Sequence, residues 1–297
     1  MDWKGLGIVG CWALFAIALS LGFQSVVVKP PASVSTAKTI RVASLSPAIT
    51  ETLFALGAHQ ELVARTDHCL HPADAAEIPS VGPGLSPDLE GLAKRSPSLI
   101  IVDKRAKMDL PGLRAIAPAQ GLPWLTLADV LESTETLGKL VEREAAAKVL
   151  TDRLRRGLEP AQSADSPRVL LLIGARPDSE SLWFIKRNSL HGQALHAAGA
   201  RNAIDRDVEG APELSMEGLL KVNPDIIIGL ADVDELSDSQ RAGFERRFNA
   251  FPGLVAAERR QVAVIARPGT MSAGPLILNL VTDLKSVLQR FRKGGQP

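Results

Sequence analysis

The strongest constraint on this chain is that its second half repeats the grammar of its first. The segment SPDLEGLAKRSPSLIIVD, ending at Asp103, matches LSMEGLLKVNPDIIIGLAD, ending at Asp232, at a constant offset. Glu90-Gly91-Leu92 answers Glu217-Gly218-Leu219, Pro97 answers Pro224, and Ile100-Ile101 answers Ile227-Ile228. In each copy a short amphipathic helix precedes a proline break and an apolar run typical of a buried parallel strand. In the first copy Ser86-Pro87 is placed to open that helix. The repeat extends outward. RVASLSPAITETLFALG reads as a strand and then a helix opened at Ser46-Pro47 and closed by Gly57, while RVLLLIG from Arg168 and LHGQALHAAGARNAI, closed by Gly199, read the same way. With 297 residues there is length for two medium-sized domains. The expected fold class is α/β: two Rossmann-like three-layer lobes with parallel sheets.

Between the lobes, Leu127 to Leu158 contains no proline and carries an apolar stripe of Val130, Leu131, Leu137, Leu140, Val141, Val149, Leu150 and Leu154, whose phase drifts. This predicts a single long bridging α-helix on the order of 45 Å, a stiff rod that lets the lobes move little. The expected organisation is therefore an N-terminal signal or anchor (1–28), a Pro/Ser/Ala tether (29–38), an N-terminal lobe (39–126), the bridging helix (127–158) and a C-terminal lobe (159–297).

The uncharged run Leu6–Val28 lies behind Lys4 and ahead of Lys29-Pro30-Pro31. At about 20 residues it is long enough to span a bilayer. It reads either as a secretory signal cut after Gly22 or Ala37, or as a retained membrane anchor; both export the rest of the chain. Net charge is +1, which offers no field to nucleic acid. The two cysteines, Cys11 in the apolar run and Cys69 in the folded part, make no disulfide framework.

The stretch VARTDHCLHPAD crowds His68, Cys69 and His71 together. Structural zinc wants four ligands in spaced pairs, and His59, His191 and His196 supply no second pair. A Cys–His catalytic dyad needs a nucleophile context that the sequence does not provide, so a Cys/His-dependent enzyme is the weakest reading and no enzymatic activity is expected. The alternative in which Cys69 packs as a small buried hydrophobe and both histidines only bond the loop stays open.

In the order and spacing of RVASLSPAITETLFALG, TDHCLHPADAAEIPSVG, PDLEGLAKRSPSLIIVD, the 127–158 helix and LSMEGLLKVNPDIIIG, over about residues 39 to 292, the chain resembles the periplasmic binding proteins for vitamin B12, ferric siderophores and haem that serve ABC importers. The resemblance implies a monomeric extracytoplasmic solute-binding protein that captures a small-molecule metal chelate or corrinoid between its lobes and delivers it to an importer permease. It implies no intrinsic cofactor, since any metal belongs to the cargo. The cleft loops are then Ser44–Pro47, Thr66–His71, Gly82–Ser86, Asp103–Lys107, Gly174–Arg187, Leu230–Asp234 and Arg267–Gly274, beyond the carboxyl ends of strands, where open α/β sheets bind ligands.

On those loops the expected cargo contacts are Ser46, Pro47, His68, Cys69, His71, Gly84, Trp183, Arg187 and Arg267. His71 or His68 is the candidate axial contact to a metal already held in a chelate. Trp183-Phe184 reads equally as core or as cleft wall. The resemblance also implies that Glu90 and Glu217, one per lobe, dock on the permease; read alone, each is a solvated carboxylate in a first helical turn. Tyrosine is absent, which excludes haem held by tyrosinate and leaves little to stack on a corrinoid. Lys104, Arg105, Lys107, Arg176, Lys186, Arg187 and Arg267 on the cleft loops would suit an anionic chelate. An anchored ligand sensor or scavenger without a transporter, held in the membrane by residues 6–28, is the alternative.

Overall fold

Four short apolar runs in each half of the chain pair into a parallel sheet. The computed structural model describes residues 39–106, 108–174, 181–209, 212–233 and 235–294. The N-terminal run and tether lie outside these residues, as do Lys107, Arg176 and Asp234 of the expected cleft loops. The first sheet contains β1 (Val42–Ser44), β2 (Leu62–Arg65), β3 (Leu99–Asp103) and β4 (Ala119–Leu122) in the order β2-β1-β3-β4. Further along are β5 (Arg168–Ile173), β6 (Leu182–Trp183), β7 (Arg201–Asn202), β8 (Glu213–Leu214), β9 (Ile226–Ala231) and β10 (Val262–Ala266). Of these, β10-β9-β5-β7 form the second sheet, and β6 with β8 a separate antiparallel ribbon. Read from the other edge, the second sheet has the topology of the first, with β5 in the place of β1 and β9 in that of β3.

The duplication extends to side-chain detail. Arg41, at the entrance to β1, donates from Nε to the Ser96 carbonyl and from Nη2 to that of Arg95. Arg168, at the entrance to β5, donates from Nη1 to the Asn223 carbonyl and from Nη2 to that of Val222. Ser96 and Asn223 both adopt positive φ, 47° and 42°. Each arginine thus satisfies carbonyls that a helix leaves unpaired at its end and ties that helix to the following strand. Those helices are α2 and α7 in chain order: α1 (Pro47–Ala55), α2 (Leu89–Lys94), α3 (Leu110–Arg114), α4 (Leu127–Leu140), α5 (Glu144–Gly157), α6 (Leu190–Ala197), α7 (Met216–Val222), α8 (Asp238–Asn249), α9 (Val255–Glu258) and α10 (Ile277–Gly294). Helix α2 begins later than Ser86-Pro87 predicts, because the Asp88 carboxylate accepts the Glu90 N–H and sets the N-cap.

Alternation along the strands sorts the core. Val42 and Ile101 of the first sheet and Val169, Leu171, Ile226, Ile228 and Leu230 of the second face one continuous apolar cluster. That cluster also takes in Ile49 and Leu53 of α1, Leu137 of α4, Leu154 of α5, Leu195 of α6 and Leu284 of α10. The outward neighbours pack into separate clusters, Ile100 and Val102 in one and Leu170, Leu172 and Ile227 in the other. Each lobe therefore has its own outer layer, but the inner layer is common to both.

The expected single bridging helix is corrected to two helices of 14 residues each, α4 and α5. The break is a Schellman turn. The Arg143 N–H bonds the Gly138 carbonyl at 2.7 Å, the Glu142 N–H points to Lys139 O at 3.4 Å, and Glu142 takes the left-handed conformation, φ 56°. Arg143 fixes the turn by donating to the Val141 and Glu142 carbonyls and pairing with Glu61 at 2.8 Å. Gly138 lets the helices close up, since a Cβ there would overlap that of Ala147. The break also resets the phase: Val149, read as part of the stripe, is 69% exposed.

The sign of one substitution distinguishes the turn from a continuous helix. Glu142→Gly should stabilise the protein by about 1 kcal/mol, because glycine adopts positive φ without the Cβ penalty. In a continuous helix the same change would destabilise by about 1 kcal/mol. Urea unfolding of the two proteins side by side gives the sign.

Candidate functional site

Both sheets place the carboxyl ends of their central strands at the junction of the lobes. A cleft of about 770 Å³ opens there, lined by Pro47, Glu51, His68, Leu70, His71, Ala73 and Ala76 from the first half and by Asp232, Val233, Pro268, Met271 and Ser272 from the second. A smaller hollow of about 240 Å³ includes Arg105, Trp124, Ile173, Lys186 and His191 in its wall.

The loop carrying the histidines leaves β2 after Arg65 and returns to it at Ser80. Arg65 is buried and organises the loop from beneath, donating to the Thr66 and Ala76 carbonyls at 3.0 Å each. Ser80 Oγ donates to Asp67 at 2.6 Å, and the His71–Pro72 peptide bond is cis. The loop exposes His68, holds His71 half-buried in the cleft, and turns Cys69 inward, where it is 0% exposed with its sulfur 3.2 Å from Thr66 Oγ1. His71 Nε2 faces Asp232 Oδ1 across the cleft at 3.9 Å.

The opposite wall is the Arg267–Leu276 segment, which both lobes hold. Asp232 Oδ1 accepts the Gly269 N–H at 2.7 Å. His191, on α6, donates from Nε2 to the Thr270 carbonyl at 3.2 Å. From the first half, the fully buried Trp124 donates to the Ala273 carbonyl at 2.9 Å. Glu51 of α1 accepts hydrogen bonds from the Ser272 hydroxyl and the Leu276 N–H. Gly274 is required here, because a Cβ would run into the Glu51 carboxyl group. Burial pushes Glu51 up to about 7; the two hydrogen bonds oppose that rise and the charge of Asp232 adds to it. Burial pushes His191 down to about 4, so it is neutral and serves as a donor.

Of the residues expected at the site, Pro47, His68 and His71 line the cleft. The others stand apart from this lining. Ser46 is buried at the start of α1, its carbonyl accepting from Thr50 Oγ1. Gly84 lies against Thr66. Cys69 is enclosed because its loop turns on it. Trp183 borders another hollow with Gly174 and Phe244 and is 44% exposed, whereas Phe184 is core. Arg187 is drawn to Asp207 at 2.9 Å and Asp205 at 3.3 Å, Arg267 to Asp283 at 3.2 Å, and Arg105 to Asp103 at 2.6 Å. Glu51, Asp232, Met271 and Ser272 also line the cleft, and the sequence marks none of them individually as a contact. The one available signal for Glu51 was a charged residue inside the apolar stripe of ITETLFALG.

Glu90 and Glu217 occupy equivalent first-turn positions of α2 and α7. Both are exposed, and each pairs at 2.7 Å with the lysine four residues on, Lys94 or Lys221. Among the described residues no group of three or more His, Cys, Asp or Glu is placed to hold a metal ion, and no helix is long and apolar enough to cross a membrane.

Comparison with known proteins gives a consistent picture. A family model described as "Periplasmic binding protein" matches residues 42–267. A vitamin B12-binding protein of Pectobacterium carotovorum subsp. carotovorum (strain PC1) is 28% identical over 211 residues, covering 67% of this chain and 74% of that protein. YvrC of Bacillus subtilis (strain 168), an uncharacterized ABC transporter substrate-binding lipoprotein, is 23% identical over 257 residues, covering 82% and 78%. The crystal structure of the periplasmic haem-binding protein HutB of Vibrio cholerae superposes with a TM-score of 0.70 at 20% identity, over 84% of this chain and 99% of that one.

Glu51 and His191 pull stability in opposite directions with pH. The Glu51 pKa is raised on folding, so its contribution is full below the unfolded value of 4.5 and is lost as pH rises to about 7. The His191 pKa is depressed, so its contribution is present above 6.5 and is lost as pH falls towards 4. Between pH 5 and pH 7 each amounts to roughly 2 kcal/mol and they nearly cancel. Glu51→Gln should therefore gain about 2 kcal/mol relative to wild type as pH is raised from 5 to 7. Denaturant unfolding at both pH values measures this; parallel changes in the two proteins would contradict it.

Proposed function

We propose, from the premise that this chain belongs to the periplasmic binding protein family, that it captures a metal chelate or corrinoid in the cleft between its lobes and hands it to an ABC importer. The family is one of substrate-binding proteins rather than enzymes, and membership implies a small-molecule ligand, an importer permease as partner and an extracytoplasmic location. What it leaves open is the cargo. Relatives carry the names of vitamin B12- and haem-binding proteins, and the carrying observation for this chain is the lining of the cleft. His68 and His71 stand on one side and Met271 on the other, with Leu70, Val233 and Pro268 between polar groups. Imidazole and thioether suit a metal that a macrocycle or chelator already holds, and the apolar remainder suits its organic periphery. His71 is the leading axial contact, held in place by the Arg65-organised loop.

Delivery is assigned to Glu90 and Glu217. Their equivalence under the repeat, one on each lobe, supports a two-point dock onto basic residues of a permease. Their lysine partners are exposed and bind them weakly, so a permease can displace them. A retained N-terminal run would tether the protein beside that permease; a sensor or scavenger would share the cleft but not need the two glutamates.

The double variant Glu90→Ala/Glu217→Ala separates delivery from capture. Association with the solubilised permease should fall at least severalfold, while the affinity for cyanocobalamin or haemin, whichever the wild type binds, stays unchanged. His71→Ala should do the reverse, weakening binding by about 1–3 kcal/mol, the scale of a lost buried polar contact. Normal permease association by the double variant would remove the docking role and favour the sensor.

A further inference from the structure

Every described arginine that the sequence offers to an anionic cargo stands outside the lining of the main cleft and is paired with a carboxylate there. Arg187 is held by Asp205 and Asp207, Arg267 by Asp283, and Arg105 by both carboxylate oxygens of Asp103. Among the described residues lining the main cleft there is no lysine or arginine; its ionisable groups are Glu51, Asp232, His68 and His71. The two acidic groups come from opposite halves of the chain and both line the cleft. Asp232 is 37% exposed there, and among the described residues its Oδ1 is engaged by the Gly269 N–H and by His71 across the cleft.

We infer that the cleft selects its cargo by charge, and that Asp232, with Glu51 behind it, is the selecting group: the favoured cargo is a metal complex that is neutral or cationic at its periphery and rich in hydrogen-bond donors, and carboxylate-bearing or catecholate complexes are disfavoured. This rests on the capture reading above and narrows it. Asp232 accepts from an amide or ammonium on such a cargo without reorganising, because the Gly269 N–H already fixes its carboxylate. A carboxylate in the same place would meet Asp232, and no lysine or arginine among the described residues lining this cleft offsets it. A unit charge a few ångströms from a partly solvated carboxylate changes affinity by roughly tenfold or more. Charge thus rejects cargo that size and metal alone would admit.

Probes paired by metal and differing in peripheral charge test this on the protein as its host exports it. Tryptophan fluorescence reports the affinity for three pairs: cyanocobalamin against cobyrinic acid, whose corrin carries carboxylates in place of amides; ferrioxamine B, a cationic ferric hydroxamate, against a ferric tris-catecholate; and haemin dimethyl ester against haemin. Within whichever pair binds, the neutral or cationic member should bind at least about tenfold more tightly. Asp232→Asn, which keeps the acceptor for Gly269, should lower that ratio severalfold while thermal stability stays at the wild-type value. Equal or tighter binding of the anionic member would overturn the inference and leave the capture reading standing. So would a ratio unchanged in Asp232→Asn. Failure of both members of all three pairs to bind would count against capture of a metal chelate or corrinoid itself, and against charge selection with it.

Discussion

The two sheets share one inner layer of helices, and the geometry of the cleft follows from that. Val42 and Ile101 on one side and Val169, Leu171 and Ile228 on the other press on the same apolar cluster. Burying that much surface at roughly 25 cal/mol per Å² makes any separation of the lobes expensive. Polar contacts are laid over it: Trp124 and Glu51 reach from the first half into the Arg267–Leu276 segment. The break between α4 and α5 does not loosen the assembly, because lobe position is set by the common core rather than by a rod. The cleft is accordingly formed before any cargo arrives, and little ordering entropy has to be met on binding.

Holding that segment places a carboxyl group where carboxylates are poorly tolerated. Glu51 is 5% exposed, near Asp232 and with no cation bonded to it among the described residues; its hydrogen bonds from Ser272 and Leu276 recover only part of its lost hydration. His191 is kept neutral on the other side of the same segment. The wall of the cleft is therefore built from one acid that burial pushes towards its neutral form and one base held neutral. Asp232, far more exposed than Glu51 or His191, faces the histidine loop from this wall.

The repeat carried most of the fold. Apolar runs marked β3, β5 and β9, and the glycines at the ends of α1 and α6 stand at positive φ, 72° for Gly57 and 87° for Gly199. The break after α4 was invisible because its turn uses Glu142 where the other two helices use glycine. A left-handed glutamate has no signature in a sequence; it is held by Arg143 and Glu61, which are far apart along the chain. The same limit applied to the site. His68 and His71 were legible because a short loop concentrates them. Glu51, Trp124 and Met271 acquire their roles from partners more than a hundred residues away, and the arginines lost theirs to local or distant carboxylates that no spacing rule pairs. Cys69 read either as a cargo contact or as a small buried hydrophobe, and the turn of its loop encloses it.

The account holds that the two lobes are one cooperative body, fused through the inner helical layer and the Glu51 and Trp124 contacts. Differential scanning calorimetry of the exported protein tests this most directly. A shared core predicts a single transition whose calorimetric and van't Hoff enthalpies agree. Two resolved transitions, or a calorimetric enthalpy about twice the van't Hoff value, would mean that the lobes unfold independently and that the cleft between them is not preformed.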